Sequence, residues 1–139
     1  MSDTAVAAIP LRRFDESLPM ALLRARESVL RSFRPLLAEH DLTEQQWRVL
    51  RVLDDADAPM SVGHVADATS LLGPSLSRML TSMEQRKLLE RVTGSDARRS
   101  EISICAAGRS LVAEVAPAIE AAYGVIDSRL DDGDLDELY

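Results

Sequence analysis

The residues of this chain best suited to chemistry are short hydroxyl side chains and arginines between positions 74 and 99. A predicted helix over 72–84, here called the reading helix, carries on or beside one face Pro74, Ser75, Ser77, Arg78 and Thr81. Hydroxyls and a guanidinium donate hydrogen bonds to base edges and phosphates, and a face without bulky side chains lets a helix approach the floor of a DNA major groove. The alternative interpretation is a solvated helix surface, which charged and hydroxyl-rich runs usually form.

The residues that follow the reading helix predict a β-hairpin with a cationic tip. Alternating, β-branched runs at 88–93 and 101–105 flank a turn that Gly94 and Ser95 mark. The tip carries Asp96, Arg98 and Arg99. A groove-sized helix followed at once by an arginine-tipped hairpin is the pattern of a winged helix-turn-helix, and this context favours DNA contact over a merely solvated surface.

Two shorter helices must hold the reading helix in place. Residues 43–46 match a capping box, in which the side chains of a threonine and a glutamine each accept a hydrogen bond from the other residue's backbone N–H. They begin a helix that is predicted to end at about Asp55. Ser61 caps a short helix over 62–68, and residues 69–70 turn the chain into the reading helix. The reading helix itself has an apolar seam that we expect to be buried, formed by Leu76, Leu80 and Met83.

Long amphipathic helices flank this module on both sides. The spacing of apolar residues predicts one helix over 17–39 and another over 111–130, which Pro117 should bend. A last helix is expected to start near Gly133 and to be incomplete at Tyr139. The first helix has two apolar stripes, which implies one partner in its own domain and another in a second subunit. The predicted fold is therefore mainly α with a small β-hairpin wing, divided into an N-terminal arm and dimerisation helix (1–40), a winged helix-turn-helix (41–105) and C-terminal dimerisation helices (106–139).

Composition excludes several classes of protein. One cysteine rules out an intramolecular disulfide, and with only two histidines we expect neither a metal nor another cofactor. No apolar run approaches the roughly 20 residues of a membrane span, and the N-terminus lacks the pattern of a secretory signal. A cytoplasmic protein without membrane contact is therefore expected. The sequence has no Ser-His-Asp order, metal-ligand spacing or glycine-rich phosphate loop, so we do not expect an enzyme.

The net charge of −7 is unevenly distributed along the chain. Residues 110–139 hold eight acidic residues and one arginine, whereas residues 71–99 hold six basic and three acidic residues. Local charge governs attraction to phosphates. The acidic C-terminal stretch is therefore compatible with DNA binding at the reading helix.

Four stretches carry a resemblance to a known family, and they are residues 42–50, Leu72-Gly73-Pro74-Ser75-Leu76-Ser77-Arg78, Asp96-Ala97-Arg98-Arg99 and Gly108-Arg109. Through them the chain resembles the MarR (multiple antibiotic resistance regulator) family of winged-helix regulators along nearly its whole length. The resemblance implies a homodimer on a pseudo-palindromic double-stranded operator, with one reading helix per half-site. It implies base or phosphate contacts for Ser75, Ser77 and Arg78. At the tip it implies minor-groove entry for Arg98, an arginine partner for Asp96, and a phosphate contact or a wing-stabilising role for Arg99.

Residues 13–27 and 33–35 are similar, within the family, to repressors of aromatic catabolic operons. This similarity implies release from DNA by a small aromatic carboxylate, which needs an apolar slot and a guanidinium. We expect Arg24 to bind the carboxylate, and the cleft to be lined by Met20, His40 and Trp47. The alternative is that Trp47 belongs to the core and that Arg24 pairs with an acid such as Glu27 or Glu39.

Cys105 marks a departure from the family pattern, which usually has a threonine cap at the start of the helix after the wing. Cysteine is a poor cap, and we interpret Cys105 as structural. A winged-helix module that binds another protein, without specific DNA binding, remains the alternative function. Substitution of Ser75, Arg78 and Arg98 separates the two, because DNA reading predicts lost operator binding with an intact dimer.

Overall fold

The computed structural model describes residues 8–93, 96, 99–131, 133–134 and 136–137. A short 3₁₀ turn, Phe14–Glu16, precedes the regular elements, which are α1 (Leu18–Ala38), α2 (Glu44–Asp54), β1 (Met60–Ser61), α3 (Val62–Thr69), α4 (Gly73–Gln85), β2 (Leu89–Thr93), β3 (Ser100–Ile104) and α5 (Ala106–Asp127). The reading helix is α4. The predicted fold class, mainly helical with a small hairpin wing, is confirmed. The helix expected near Gly133 falls partly outside the described residues.

The predicted caps of α2 and α3 are present. Thr43 Oγ1 accepts a hydrogen bond from the Gln46 backbone N–H at 3.1 Å, and Gln46 Oε1 accepts one from the Thr43 N–H at 3.0 Å. Ser61 Oγ accepts from the His64 N–H at 3.2 Å. Each bond satisfies a backbone donor that a helix start leaves without an intrahelical partner. The helix boundaries in this part of the chain are therefore set by local side chains.

The wing belongs to a three-stranded antiparallel sheet in the order β1-β3-β2. Ile102, in the central strand, lies opposite Arg91 on one side and Met60 on the other. The sequence predicts β2 and β3 but not β1, because a two-residue strand is too short to show alternation. β1 immediately precedes Ser61-capped α3, so the sheet fixes where the helix pair starts relative to the wing.

The core lies between the helix pair, the inner face of the sheet and one side of α5. Leu76, Leu80 and Met83 are fully buried, which confirms the predicted seam of α4. The other buried apolar residues are Phe33, Leu37, Leu42, Val49, Leu50, Leu53, Val65, Leu88, Leu89, Ile102, Ile104, Val112, Val115 and Ile119. All five α-helices of the described chain and the sheet contribute residues to this one core.

The first turn of α5 sits directly on the start of β2. The Cys105 N–H donates to the Leu88 carbonyl oxygen at 3.0 Å. A Cβ added at Gly108 would lie 2.2 Å from that same oxygen. Glycine at position 108 therefore permits an approach that a larger residue would block.

Both halves of α5 contact α1 or the residues just after it. The rings of Phe33 and Tyr123 lie 4.8 Å apart between centroids, and His40 Nδ1 lies 3.6 Å from Glu114 Oε1. In the described part of the chain, none of the helices combines the length and the apolar character that crossing a membrane requires.

Candidate nucleic-acid interface

The exposed side of α4 carries the residues that the sequence assigns to DNA contact. Pro74 lies in the first turn, where its missing N–H leaves no helical bond unmade. The remaining assigned side chains of α4 are exposed, and they are Ser75, Ser77, Arg78 and Thr81. Because the opposite side of the helix is fully buried, this polar face points outward in a fixed orientation. It presents hydroxyls and one guanidinium with little bulk around them.

The turn before α4 is held by backbone geometry and by a buried threonine. Ser70 caps α3 in the left-handed conformation, with φ 54° and ψ 35°. Thr69 is buried, and its Oγ1 donates to the Val65 carbonyl oxygen at 2.6 Å. The Leu71 N–H donates to the Ala66 carbonyl oxygen at 3.2 Å. These bonds fix the angle at which the chain enters the reading helix.

The wing tip is described only in part. The Arg99 N–H donates to the Asp96 carbonyl oxygen at 3.0 Å, and both side chains are exposed. Arg98, which the resemblance assigns to the minor groove, lies outside the described residues. Asp96 and Arg99 also line a surface concavity of about 350 Å³ that reaches His64 in α3. The described part of the tip therefore lies beside the start of the helix pair.

Arg91 is a cation beside the reading helix that the sequence analysis did not single out. It lies in β2, is exposed, and places Nη2 3.5 Å from Thr81 Oγ1 of α4. Its backbone N–H donates to Glu84 Oε2 at 3.0 Å. Period-two alternation identifies its strand but not which helix its side chain faces, so only the tertiary structure brings Arg91 to this surface.

The four residues predicted to bind an effector are not brought together within one chain. Arg24 Nη2 donates to the Asp15 carbonyl oxygen at 3.1 Å, at the start of α1. His40 lies beside Glu114, at the other end of α1. Met20 is half-buried in the first turn of α1, and Trp47 is half-buried in α2. The reason is simple: α1 rises about 1.5 Å per residue, which separates its two ends by about 30 Å.

Glu27, one of the two acids expected as alternative partners of Arg24, is engaged by other arginines. Glu27 accepts from Arg34 Nη1 at 2.8 Å and from Arg34 Nη2 at 3.0 Å. The hydrogen bond from Arg34 holds the pKa of Glu27 below its usual range. Glu27 therefore pairs with Arg34, seven residues away on the same helix, and also with the neighbouring Arg26.

A cavity of about 540 Å³ lies between α2, the end of α3 and α5. Its lining includes two aromatic rings and two guanidiniums, those of Trp47, Tyr123, Arg48 and Arg51. Met20, Arg24 and His40 are not among the residues that line it. One sequence signal could have found it, because the i, i+4 spacing of Trp47 and Arg51 places an aromatic ring and a cation on the same face of α2.

A buried carboxylate organises the charges beside this cavity. Glu44, in the first turn of α2, is only 8% exposed. Its Oε1 accepts a hydrogen bond from Arg26 Nη2 at 3.1 Å and lies 2.8 Å from Arg48 Nε, although the latter pair is not aligned as a hydrogen bond. Arg48 Nη1 donates in turn to the Thr69 carbonyl oxygen at 2.6 Å. A continuous polar chain therefore runs from α1 through α2 to the end of α3.

Comparison with known proteins places these features in a family context. Residues 40–100 match the model of the MarR family. The chain is 38% identical to the homoprotocatechuate degradative operon repressor of Escherichia coli over 115 residues, which cover 82% of this chain and 77% of that protein. It is 30% identical to the HTH-type transcriptional regulator FarR of Neisseria gonorrhoeae, over 88% of this chain and 84% of the relative.

A solved structure of a ligand-bound regulator is also similar. NadR in complex with 4-hydroxyphenylacetate superposes with a TM-score of 0.80 at 30% sequence identity, over 94% of this chain and 92% of NadR. The similarity extends over the winged module and the flanking helices alike.

Proposed function

This chain belongs to the MarR family of transcriptional regulators, and we propose that it represses an operon for the breakdown of an aromatic compound. In this proposal a homodimer binds a pseudo-palindromic double-stranded operator and leaves it when a small aromatic carboxylate binds. The observation that carries the DNA-binding part is the exposed hydroxyl and arginine face of α4, fixed by a fully buried seam on its other side.

The reading geometry sets the spacing of the two half-sites. One α4 enters the major groove in each half-site, with Ser75, Ser77 and Arg78 toward base edges or phosphates and Thr81 further along the same face. A dimer with two-fold symmetry then requires half-site centres that are one helical turn, roughly 34 Å, apart. Arg98 in the minor groove and Arg99 on phosphate complete the proposed contact, with Asp96 steadying the tip.

Exposed apolar side chains at both ends of the described chain support a dimer. The large ones are Ile9, Leu11, Phe14, Leu18, Leu22, Leu23, Val29, Tyr123, Val125 and Leu130. They lie on the N-terminal arm, α1, and α5 with the residues just after it. Many large apolar side chains left exposed on the same terminal elements are typical of an interface. A second copy of the chain, contributing the same surface through a two-fold axis, is the partner we propose.

The cavity between α2 and α5 is the proposed effector site. Trp47 and Tyr123 offer ring contacts, and Arg48 and Arg51 offer guanidiniums for a carboxylate. The structure of NadR with 4-hydroxyphenylacetate supports an aromatic acid as the ligand class. A carboxylate that binds Arg48 would compete with the Thr69 carbonyl oxygen, which lies at the turn into the reading helix. Only a ligand that prefers the DNA-free arrangement can release the operator.

Selection of bound DNA from a random pool tests the DNA-binding proposal. We expect one pseudo-palindromic site, bound by the wild type with high affinity. Arg78→Ala should bind it about 5- to 150-fold more weakly, the equivalent of about 1–3 kcal/mol for a base contact. Arg31→Ala on α1 is the matched control, because it removes the same charge from an exposed helix position.

Light scattering on the same samples shows whether each variant stays dimeric. Enrichment of no sequence by the wild type would contradict specific DNA reading and favour the protein-binding alternative. Full operator affinity in Arg78→Ala would remove the proposed role of α4.

Calorimetry with 4-hydroxyphenylacetate tests the effector proposal. We expect the wild type to bind, Arg51→Ala to bind more weakly, and Arg24→Ala to bind as the wild type does. Loss of binding in Arg24→Ala alone would favour Arg24, as predicted from the sequence, over Arg51 as the residue that binds the carboxylate. No binding by the wild type would exclude this ligand.

A further inference from the structure

We infer that Arg91 binds the phosphate backbone that passes between the reading helix and the wing. This contact lies outside the residues assigned above, and it rests on the proposed DNA-binding function. Arg91 is exposed in the middle of β2, and its guanidinium Nη2 lies 3.5 Å from Thr81 Oγ1 on the reading face of α4. It is therefore a cation at the junction of the two elements proposed to enter DNA.

Arg91 lies in a strand that is held by hydrogen bonds, and not in a flexible loop. Its N–H donates to Glu84 Oε2 of α4 at 3.0 Å, and across the sheet it lies opposite the fully buried Ile102. Leu89, two residues earlier on the same face of β2, is 1% exposed. Alternation along the strand therefore places Arg91 on the α4 side of the sheet, at the edge where the core opens to solvent.

A concavity of about 180 Å³ continues this surface toward the tip. Arg91 and Arg99 both line it, together with Val92, Thr93 and Ser100. Arg91 and Arg99 thus both contribute guanidiniums to one surface of the wing. Among the described residues no carboxylate forms an ion pair with the Arg91 guanidinium. Glu84 accepts a hydrogen bond from the Arg91 backbone N–H, and Glu90 alternates to the other face of β2.

The geometry of B-DNA explains why a cation at this junction matters. A helix in the major groove and a wing tip in the adjacent minor groove are separated by one sugar–phosphate strand. That strand must cross the space between α4 and β2, where Thr81 and Arg91 meet. A guanidinium there can bind a phosphate through two parallel hydrogen bonds. Such a contact fixes register and orientation and carries no sequence information.

The expected signature is a loss of affinity that is equal on all sequences. Neutralising one phosphate contact should reduce the slope of log K against log salt concentration by about 0.9. Arg91→Gln should therefore weaken binding to operator and to unrelated DNA by similar factors, with the largest effect at low salt. Arg78→Ala should instead weaken binding to operator more than binding to unrelated DNA, so that the ratio of the two affinities becomes smaller.

Fluorescence anisotropy between about 50 and 200 mM salt measures this slope. The wild type, Arg91→Gln, Arg91→Lys and Arg31→Gln are compared on operator and on a scrambled duplex. We expect a lower slope for Arg91→Gln, a wild-type slope with somewhat weaker binding for Arg91→Lys, and no change for Arg31→Gln. An unchanged slope and affinity in a folded Arg91→Gln would overturn the inference.

Ethylation interference with the wild type gives a second measurement that does not depend on how the variants fold. One phosphate in each half-site, at the boundary between the major groove read by α4 and the flanking minor groove, should block binding when ethylated. Absence of such a phosphate would overturn the role of Arg91 while leaving specific DNA binding intact. Failure of the wild type to bind any duplex would instead contradict the proposed function itself.

Discussion

Arg48 donates a hydrogen bond of 2.6 Å from Nη1 to the carbonyl oxygen of Thr69, and so joins α2 to the last residue of α3. The same guanidinium lies beside the buried carboxylate of Glu44 and lines the cavity next to Trp47. A single side chain therefore contacts both the proposed effector site and the turn that leads into the reading helix.

Arg48→Met tests this connection. The substitution leaves the Thr69 carbonyl oxygen without its donor, and it leaves the buried Glu44 with Arg26 as its remaining ionic partner. We expect the free energy of unfolding in urea to fall by about 1–3 kcal/mol. The release of operator DNA by 4-hydroxyphenylacetate should also weaken.

Arg51→Met is the control for the stability part of this prediction. Arg51 lines the same cavity, and in the described part of the chain its ion pairs are with Asp54 and Asp55 at the end of its own helix. Partly exposed ion pairs of this kind contribute about 0–1 kcal/mol. Equal stabilities of the two variants would contradict a special role for Arg48.

Gly108→Ala should destabilise the fold strongly for a change of one methyl group. The added Cβ would lie 2.2 Å from the Leu88 carbonyl oxygen, a backbone atom that cannot move without shifting β2. We expect a loss of about 1–3 kcal/mol, as for overpacking of a core, despite the better helix propensity of alanine. Gly63→Ala in α3, where the nearest atom to the added Cβ is Ser61 Oγ at 4.0 Å, is the control and should be neutral or slightly stabilising. Urea unfolding of both variants measures the difference, and a neutral Gly108→Ala would show that β2 can give way.

Thr43→Ala should remove the capping box of α2. Thr43 Oγ1 accepts from the Gln46 N–H, and loss of a cap of this type costs about 1 kcal/mol. Ser82→Ala is the control, because Ser82 is an exposed hydroxyl within α4. Thermal unfolding should show a lower Tm for Thr43→Ala than for Ser82→Ala. Equal values would mean that another group caps α2 equally well.

Cys105 should react slowly with iodoacetamide in the folded protein. Burial raises the pKa of its thiol, and the charges of Glu90 and Glu84 raise it further. Because the thiolate is the reactive form, alkylation at pH 8.5 should be slower in the native than in the urea-unfolded chain, as measured by mass spectrometry. A raised pKa in the folded state also means that stability falls as the pH rises through that pKa, and Cys105→Ala should lack this alkaline loss. Faster alkylation of the native protein would contradict a purely structural role.

Local signals in the sequence were sufficient to predict most of the fold. Thr43 with Gln46, Ser61 and the seam of Leu76, Leu80 and Met83 are each readable within a few residues, and each is observed as predicted. β1 was missed because its pairing partner is about 40 residues away and its own two residues carry no pattern. Strand pairing between residues far apart in the chain could therefore not be predicted from local patterns.

The same limit explains which parts of the candidate sites could be predicted from the sequence. The face of α4 follows from helical periodicity alone, so its exposed residues were identified correctly as a surface. The cavity combines α2 with Tyr123 of α5, more than 70 residues further along the chain, and periodicity cannot say which faces of two helices meet. Helical periodicity places Arg24 on α1, but it does not indicate that Arg48 and Arg51 of α2 line a cavity with Tyr123. The position of Arg91 could not be predicted for a related reason, because its contact with Thr81 depends on how β2 packs against α4.

The attachment of α5 to Leu88 has a mechanical consequence for a dimer. The first turn of α5 is bonded to the start of β2, and Arg109 Nη1 binds Asp54 Oδ1 of α2 at 3.0 Å, so the winged module must follow the direction of this helix. The 22 residues of α5 span about 33 Å. With the helix acting as a lever, a tilt of about 5° at its distal end carries the near end by about 3 Å. That displacement is as long as a hydrogen bond. In a dimer, a rotation of a few degrees at the subunit interface would therefore be enough to break the contacts of both reading helices with the DNA grooves.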